Sequence, residues 1–262
     1  MDEPLFETIR PRTKNLGRRI VHYATLPSTM DEARRLAAEG AENGTVVVAD
    51  EQTAGRGRLD RRWYSPKGSL LATFLLRPSV RVESGPLIGV AVGVALAESI
   101  TRLVRAPALV KWPNDVWIEG RKVAGILVET RLAGGAFDIV LVGLGVNGNL
   151  RVADLPADLR PGATSLSEWK QGHVCLPALL KVFAERFESY LEDLERGDPA
   201  RVLSGARRLS AILGKRVRVE TGGETFEGVA SELGAGGELI LESSEGVKVV
   251  RVGDCELLRP VA

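Results

Sequence analysis

Val46-Val47-Val48-Ala49-Asp50-Glu51-Gln52-Thr53-Ala54-Gly55-Arg56-Gly57-Arg58-Leu59-Asp60-Arg61-Arg62-Trp63 joins two different kinds of sequence. Its first four residues form a continuous apolar run of the kind found in a buried strand. From Gln52 onward, small residues alternate with guanidinium groups until Trp63 ends the run. A hydrophobic core has no use for that second part. Glycine lets backbone N–H groups approach a ligand closely, and the planar arginine fork matches carboxylate and phosphate. The segment is a strand delivering a loop that closes over an anionic small molecule and orders as it does so. Trp63 either caps an apolar part of that ligand or anchors the loop.

Outward from this segment, mixed α and β patterns alternate. Residues 19–23 form a strand. Ser28 and Thr29 are good N-caps for a helix ending near Ala38, with acidic residues three positions on and Gly40 as the stop. Apolar β-type runs cover 69–76, 109–111, 116–118, 122–129 and 137–146, and Glu119-Gly120 sits where a tight hairpin turn belongs. Residues 86–104 have the periodicity of a core helix. Leu179, Leu180, Phe183, Phe187 and Leu191 share one face of a second long helix over 177–194. After Leu213-Gly214 the character changes to short alternating strands over 216–220, 225–233, 238–242 and 248–252, separated by glycine-rich turns. This divides the chain into an arm over 1–18, a large domain over 19–212 and a small antiparallel, barrel-like module over 213–262.

Composition narrows the function. Lys+Arg 35 against Asp+Glu 34 gives a net charge of +1. That argues against a nucleic-acid binder, which concentrates a large positive excess. Cys175 and Cys255 are too few and too far apart for a cysteine-based zinc site or a disulfide framework. The acidic start Met1-Asp2-Glu3-Pro4 lacks the apolar stretch of a secretory signal, and the apolar run over 86–100 is too short to span a bilayer. A cytoplasmic protein with no membrane partner is expected. There is no GxxxxGK[ST] and no GxSxG, and His22 and His173 lack the neighbours of a nucleophilic triad. Catalysis by positioning and charge stabilisation is what remains.

Three further clusters carry chemistry. In Lys111-Trp112-Pro113-Asn114-Asp115, a strand end presents an amide and a carboxylate on a tight turn. They can orient a phosphate and ligate Mg²⁺, or merely satisfy their own backbone as an Asx-type turn. In Arg121-Lys122-Val123-Ala124-Gly125-Ile126-Leu127, Lys122 opens an apolar strand. It is either a point charge for a carboxylate or phosphate, or a snorkelling strand-end lysine. Gly125 in the strand interior marks a close approach by a ligand or another strand. Gly143-Leu144-Gly145-Val146-Asn147-Gly148 matches GxGxxG formally, but Pro156 and Pro161 follow where the fingerprint needs a helix. Its glycines are instead expected to form a flat wall against a flat ligand.

Together these segments resemble the biotin–protein ligases, in composition, order and spacing, over about residues 20–260. The GRGR and KWPND motifs in one chain form a specific pair. The resemblance implies an α+β fold: a mixed β-sheet catalytic domain flanked by helices, like the class II synthetases and biotin–lipoate ligases, plus a small C-terminal SH3-like β-barrel. It implies that biotin and ATP with Mg²⁺ give biotinyl-5′-AMP, which an acceptor lysine then attacks. Carried onto this chain, Ser28, Thr29, Met30 and Gln52 line the biotin pocket. Gly55, Arg56, Gly57 and Arg58 close over carboxylate and phosphate, with Trp63 nearby. Lys122 holds the carboxylate and adenylate oxygens, Asn114 faces the phosphates and Asp115 the metal or the nucleotide side. Gly125, Ile126, Gly143, Gly145 and Asn147 line the cleft. Arg56, Arg58, Lys122 and Asn114 are the candidate catalytic residues. The implied partner is the biotin carboxyl carrier protein of acetyl-CoA carboxylase or a related carboxylase. The sheet edge pairs with it or with a second copy as a homodimer.

Two positions depart from the family pattern. Met30 stands where asparagine is usual, and Asp60 where glycine is common. Only about twenty residues precede the first strand, too few for the N-terminal helix-turn-helix of the repressor-type members, so no specific DNA binding is expected. Two alternatives are a lipoate–protein ligase and a non-catalytic RNA- or anion-binding module. The motif pair disfavours the first. The near-neutral charge and the 5% aromatic content disfavour the second.

Overall fold

The computed structural model describes residues 5–59 and 61–258. Asp60, one of the two departures from the family pattern, lies outside the described residues. The chain runs β1 (Ile20–Leu26), α1 (Thr29–Ala38), β2 (Val46–Gln52), β3 (Leu70–Leu76), α2 (Pro86–Val104), β4 (Ala108–Lys111), β5 (Asp115–Ile118), β6 (Arg121–Ala133) and β7 (Ala136–Val146). There follow α3 (Leu166–Lys170), α4 (Leu176–Glu195), α5 (Ala200–Arg208), β8 (Arg216–Thr221), β9 (Glu224–Leu233), β10 (Leu239–Ser243), β11 (Gly246–Val250) and β12 (Asp254–Leu257). The fold is α+β. A seven-stranded mixed sheet has the order β1-β2-β3-β7-β6-β5-β4, and a five-stranded antiparallel sheet has the order β11-β10-β9-β8-β12.

Period-two alternation gives the large sheet two cores. Val46 and Val48 of β2 enter the main core, while Val47 enters a smaller one on the other face. The main core lies under α2 and α4, where Phe74 meets Phe183 edge-on at 5.3 Å between centroids. The smaller core sits under α1, where Met30, Ala33 and Ala37 cover Leu75, Ile139 and Leu141. By length and composition α2 could cross a membrane, contrary to the expectation of too short a run. Burial explains its apolarity: Ala91, Val92 and Val94 to Ala97 are fully enclosed.

The two sheets are joined through β4. Val110 N–H donates to Leu209 O at 2.7 Å, and Ala211 N–H donates to Val110 O at 2.8 Å, so the connection covers the β4 edge. Trp112 Nε1 donates to Gly237 O at 3.1 Å, pinning a turn of the small sheet. The tryptophan of Lys111–Asp115 thus serves assembly rather than ligand contact. The small sheet has a strand more than the sequence pattern indicates. β12 is too short to show alternation and is recognisable only through its pairing with β8.

The arm is not loose from Leu5 onward. Glu188, buried on α4, accepts N–H bonds from Lys14, Asn15 and Leu16 at 2.6, 2.8 and 3.0 Å. His22 adds a further clasp, with Nε2 2.7 Å from Asp50 and Nδ1 3.3 Å from Glu7.

Candidate functional site

The site lies on the α1 face of the large sheet, where the side chains shrink along the strands. On β7 the row facing α1 runs Ile139, Leu141, Gly143, Gly145. Opposite Gly143 stand Thr73 and Leu127, and opposite Gly145 stand Leu71 and Gly125. Bulky residues therefore fill the space beneath α1, and glycines leave a flat floor beside it. A Cβ on Gly145 would fall 2.4 Å from the Trp63 indole, one on Gly125 2.9 Å from it, and one on Gly143 2.8 Å from Met30 Sδ. The flat partner of Gly125 and Gly145 is Trp63 of the same chain, and Gly143 faces Met30. Trp63 anchors the loop and at the same time forms a wall of the site. Its Nε1 is buried against Gly145 without a hydrogen-bond partner.

This arrangement makes Gly145→Ala a sharp test. The added methyl group must displace the indole, at a cost of about 1–3 kcal/mol typical of overpacking. The expected outcome is weaker binding, by calorimetric titration, of the biotin that the resemblance implies, together with a shift in tryptophan emission. Unchanged emission and unchanged affinity would show that the indole does not rest on Gly145.

The entrance to α1 is built differently from the expected capping box. Ser28 occupies the N-cap position but makes no side-chain cap bond. Gln52 takes over: its Oε1 accepts from Thr29 N–H at 2.8 Å and from Thr29 Oγ1 at 2.9 Å. Its Nε2 donates to Ser65 Oγ at 3.0 Å, and Thr73 Oγ1 donates to Thr29 Oγ1 at 2.8 Å. A hydrogen-bond chain from β3 through α1 and β2 thus fixes the start of the loop. Gln52 spends both ends of its amide on this scaffold.

The Gly/Arg segment is a small hairpin. Gly57 N–H donates to Arg61 O at 2.6 Å, Trp63 N–H donates to Gly55 O at 3.0 Å, and Arg56 bridges to Arg62. Arg58 Nη1 donates to Asn114 Oδ1 at 3.1 Å and to Gly253 O at 3.4 Å. Asn114 Nδ2 donates to Ile126 O at 3.0 Å, so this amide orients Arg58 and does not form an Asx-type turn. Lys122 Nζ lies 2.7 Å from Asp115 Oδ1 and 5.3 Å from the centroid of Trp63. That oxygen is buried, and the ammonium of Lys122 is its ion-pair partner. Asn147, also on the cleft wall, is tied by Nδ2 to Thr164 O at 2.9 Å. Arg56 points away from the others, toward Asp31 at 2.8 Å and Glu129 at 3.4 Å.

The enclosed space is a cavity of about 630 Å³ that all the sequence-selected residues except Gly55 line. Gly55 lies just behind it, where a Cβ would meet Ser65 Oγ at 2.5 Å and Trp63 O at 2.6 Å. Two further walls have no sequence signal of their own. One comes from the segment after β7, with Leu155, Asp158 and Leu159; the other comes from the small sheet, with Arg218 and Glu220. Pro156 and Pro161 ruled out a helix after β7, but nothing in the pattern revealed that the non-helical chain turns back over the site. Cys255 also borders the cavity. Burial pushes its thiol pKa up to about 11, so it stays protonated and is no nucleophile. Among the described residues no cluster of three His, Cys, Asp or Glu could hold a metal ion.

Residues 22–147 match the model of the biotin/lipoate A/B protein ligase family, and residues 212–258 match that of the biotin protein ligase C terminal domain. The chain is 33% identical over 251 residues to the bifunctional ligase/repressor BirA of Bacillus subtilis, covering 94% of this chain and 76% of that one. It is 33% identical over 233 residues to the biotin–[acetyl-CoA-carboxylase] ligase of Paracoccus denitrificans, covering 87% and 95%. Among solved structures, the biotin protein ligase of Aquifex aeolicus in complex with biotin and ATP superposes with a TM-score of 0.80. It is 29% identical and covers 92% of this chain and 99% of that one.

Proposed function

The chain belongs to the biotin/lipoate A/B protein ligase family as a biotin–protein ligase using biotin and ATP, and from that premise we propose how its residues divide the work. Biotin lies against Trp63, whose indole covers the glycine floor, with its ring toward Ser28, Thr29 and Met30. Its carboxylate faces Lys122 and Arg58. A carboxylate oxygen attacks the α-phosphorus of ATP, the bond to the bridging oxygen of pyrophosphate breaks, and biotinyl-5′-AMP remains. An acceptor lysine amine then attacks the acyl carbon and AMP leaves.

The observation that carries this assignment is the pairing of Arg58 with neutral oxygens only, among the described residues, at the mouth of the cavity. Its charge stays uncompensated until an anion arrives. Lys122 carries a second charge beside it, partly balanced by Asp115. Two anions must meet in the adenylation step, and a poorly hydrated site strengthens the opposing charges. Asp115 is the carboxylate we assign to Mg²⁺, which would share it with Lys122. A single protein carboxylate suits a magnesium ion that is otherwise held by water and ATP phosphates. Bound there, the ion would draw charge from the phosphates.

We place the acceptor lysine on a biotin carboxyl carrier domain of acetyl-CoA carboxylase or a related carboxylase, and the enzyme in the cytoplasm with its ATP. The open edge of β1 suits pairing with that carrier or with a second copy. Specific DNA binding is not part of this function, in keeping with the net charge of +1. The expected result is no operator-specific gel shift with biotinyl-5′-AMP at stated salt, and a specific shift would overturn it. The ligase roles are tested by pyrophosphate release coupled to pyrophosphatase. Release should need biotin and should not occur with lipoate in its place; release that is independent of biotin would refute them.

A further inference from the structure

The four arginines of the hairpin fall into two pairs. Arg56 and Arg61 meet carboxylates: Arg56 meets Asp31 and Glu129, and Arg61 meets Asp254 at the first position of β12. Arg58 and Arg62 meet only neutral oxygens among the described residues, Arg62 donating to Thr53 O at 3.0 Å. A guanidinium already held by a carboxylate must give up that partner to bind a ligand anion. One held by a carbonyl keeps its full charge. Arg56 and Arg61 therefore have the chemistry of tethers, and Arg58 and Arg62 that of anion receptors.

The tip of the hairpin supplies the second reason. Leu59, at φ 53°, is 66% exposed, so no apolar packing holds the tip in place. Polar contacts fix its position instead. At the base of the hairpin, Arg56 is tied to α1 and β6. Beside the tip, Arg61 N–H donates to Arg58 O at 3.1 Å, and both side chains reach across to the small sheet, where Arg61 meets Asp254 and Arg58 reaches the preceding carbonyl of Gly253. Gly253 is itself pressed close to β8, where a Cβ would fall 2.7 Å from Glu220 O. The small sheet thus presents a fixed carboxylate at the rim of the cavity.

We propose that Asp254 is a positioning residue that holds the Gly/Arg hairpin over the cavity through Arg61, making the C-terminal sheet a latch that slows escape of the acyl adenylate between the two half-reactions. The latch rests on the ligase assignment for its purpose but not for its geometry. Two measurements test it in the full chain. In unliganded protein, amide hydrogen exchange over residues 55–63 should quicken in Asp254→Asn and in Arg61→Gln. With purified biotinyl-5′-AMP as probe, its release into excess unlabelled biotin should quicken about fivefold, the factor an exposed ion pair can supply. The exchanged pair Arg61→Asp with Asp254→Arg should restore both toward wild type, and high salt should erase the difference between Asp254→Asn and wild type. Exchange unchanged by either single substitution, or an exchanged pair no better than the singles, overturns the latch. The exchange measurement needs no ligand, so it decides the latch even where adenylate binding fails.

Discussion

Arg58→Ala lowers biotin-dependent pyrophosphate release by about 10²–10³-fold, the loss expected when one preorganised charge is removed from a developing anion. Its guanidinium is held by Asn114 Oδ1 and Gly253 O, both neutral, so its removal strands no buried charge. The fold should therefore survive, with a melting temperature near that of wild type. Lys122→Ala should cost as much in rate but behaves differently in stability. Its loss strands Asp115, whose side chain is 14% exposed, without a counter-charge. The double variant Lys122→Ala with Asp115→Asn should recover stability without recovering activity. Steady-state pyrophosphate release and thermal melts on the same samples separate the two effects. Wild-type release by Arg58→Ala would remove Arg58 from the chemistry.

The largest stability effect is expected far from the site. Glu188→Ala leaves the backbone N–H groups of Lys14, Asn15 and Leu16 without their shared acceptor in a buried setting. Stranding donors of this kind costs about 3 kcal/mol, which for a domain of this size lowers the melting temperature by about 6–12 °C. Glu188→Gln keeps one acceptor oxygen and should lose roughly half as much. The arm over 5–18 should also become accessible to protease in Glu188→Ala. A melting temperature within about 2 °C of wild type would mean that the arm contributes nothing to stability.

Local pattern was enough for the elements that depend on local pattern. The helix over 86–104 and the Glu119-Gly120 turn, with φ of 47° and 75°, follow directly from apolar periodicity and turn chemistry. The residues that line the cavity were legible because glycines and charges in strands and strand-end loops have few structural uses. What was hidden depends on partners far away in the chain. Gln52 looks like a ligand contact, and only its distance to Thr29 shows that it caps α1. Gly125 and Gly145 signal a close approach, but not that Trp63 makes it. Arg56 and Arg58 are equivalent in sequence. Their different partners, carboxylates for one and neutral oxygens for the other, arise from α1, β6 and the turn between β4 and β5 converging on the hairpin. α5 was missed because it spans nine residues and carries Gly205 in its interior, although Val202, Leu203 and Ala206 are buried on one face.

The most direct measurement is the intact mass of a purified biotin carrier domain incubated with the chain, biotin and MgATP. The expected result is a gain of one biotinyl group on a single lysine, dependent on both biotin and ATP and greatly slowed with Arg58→Ala. A carrier whose mass does not change with the wild-type chain, or that accepts lipoate and not biotin, would contradict the function assigned to this site.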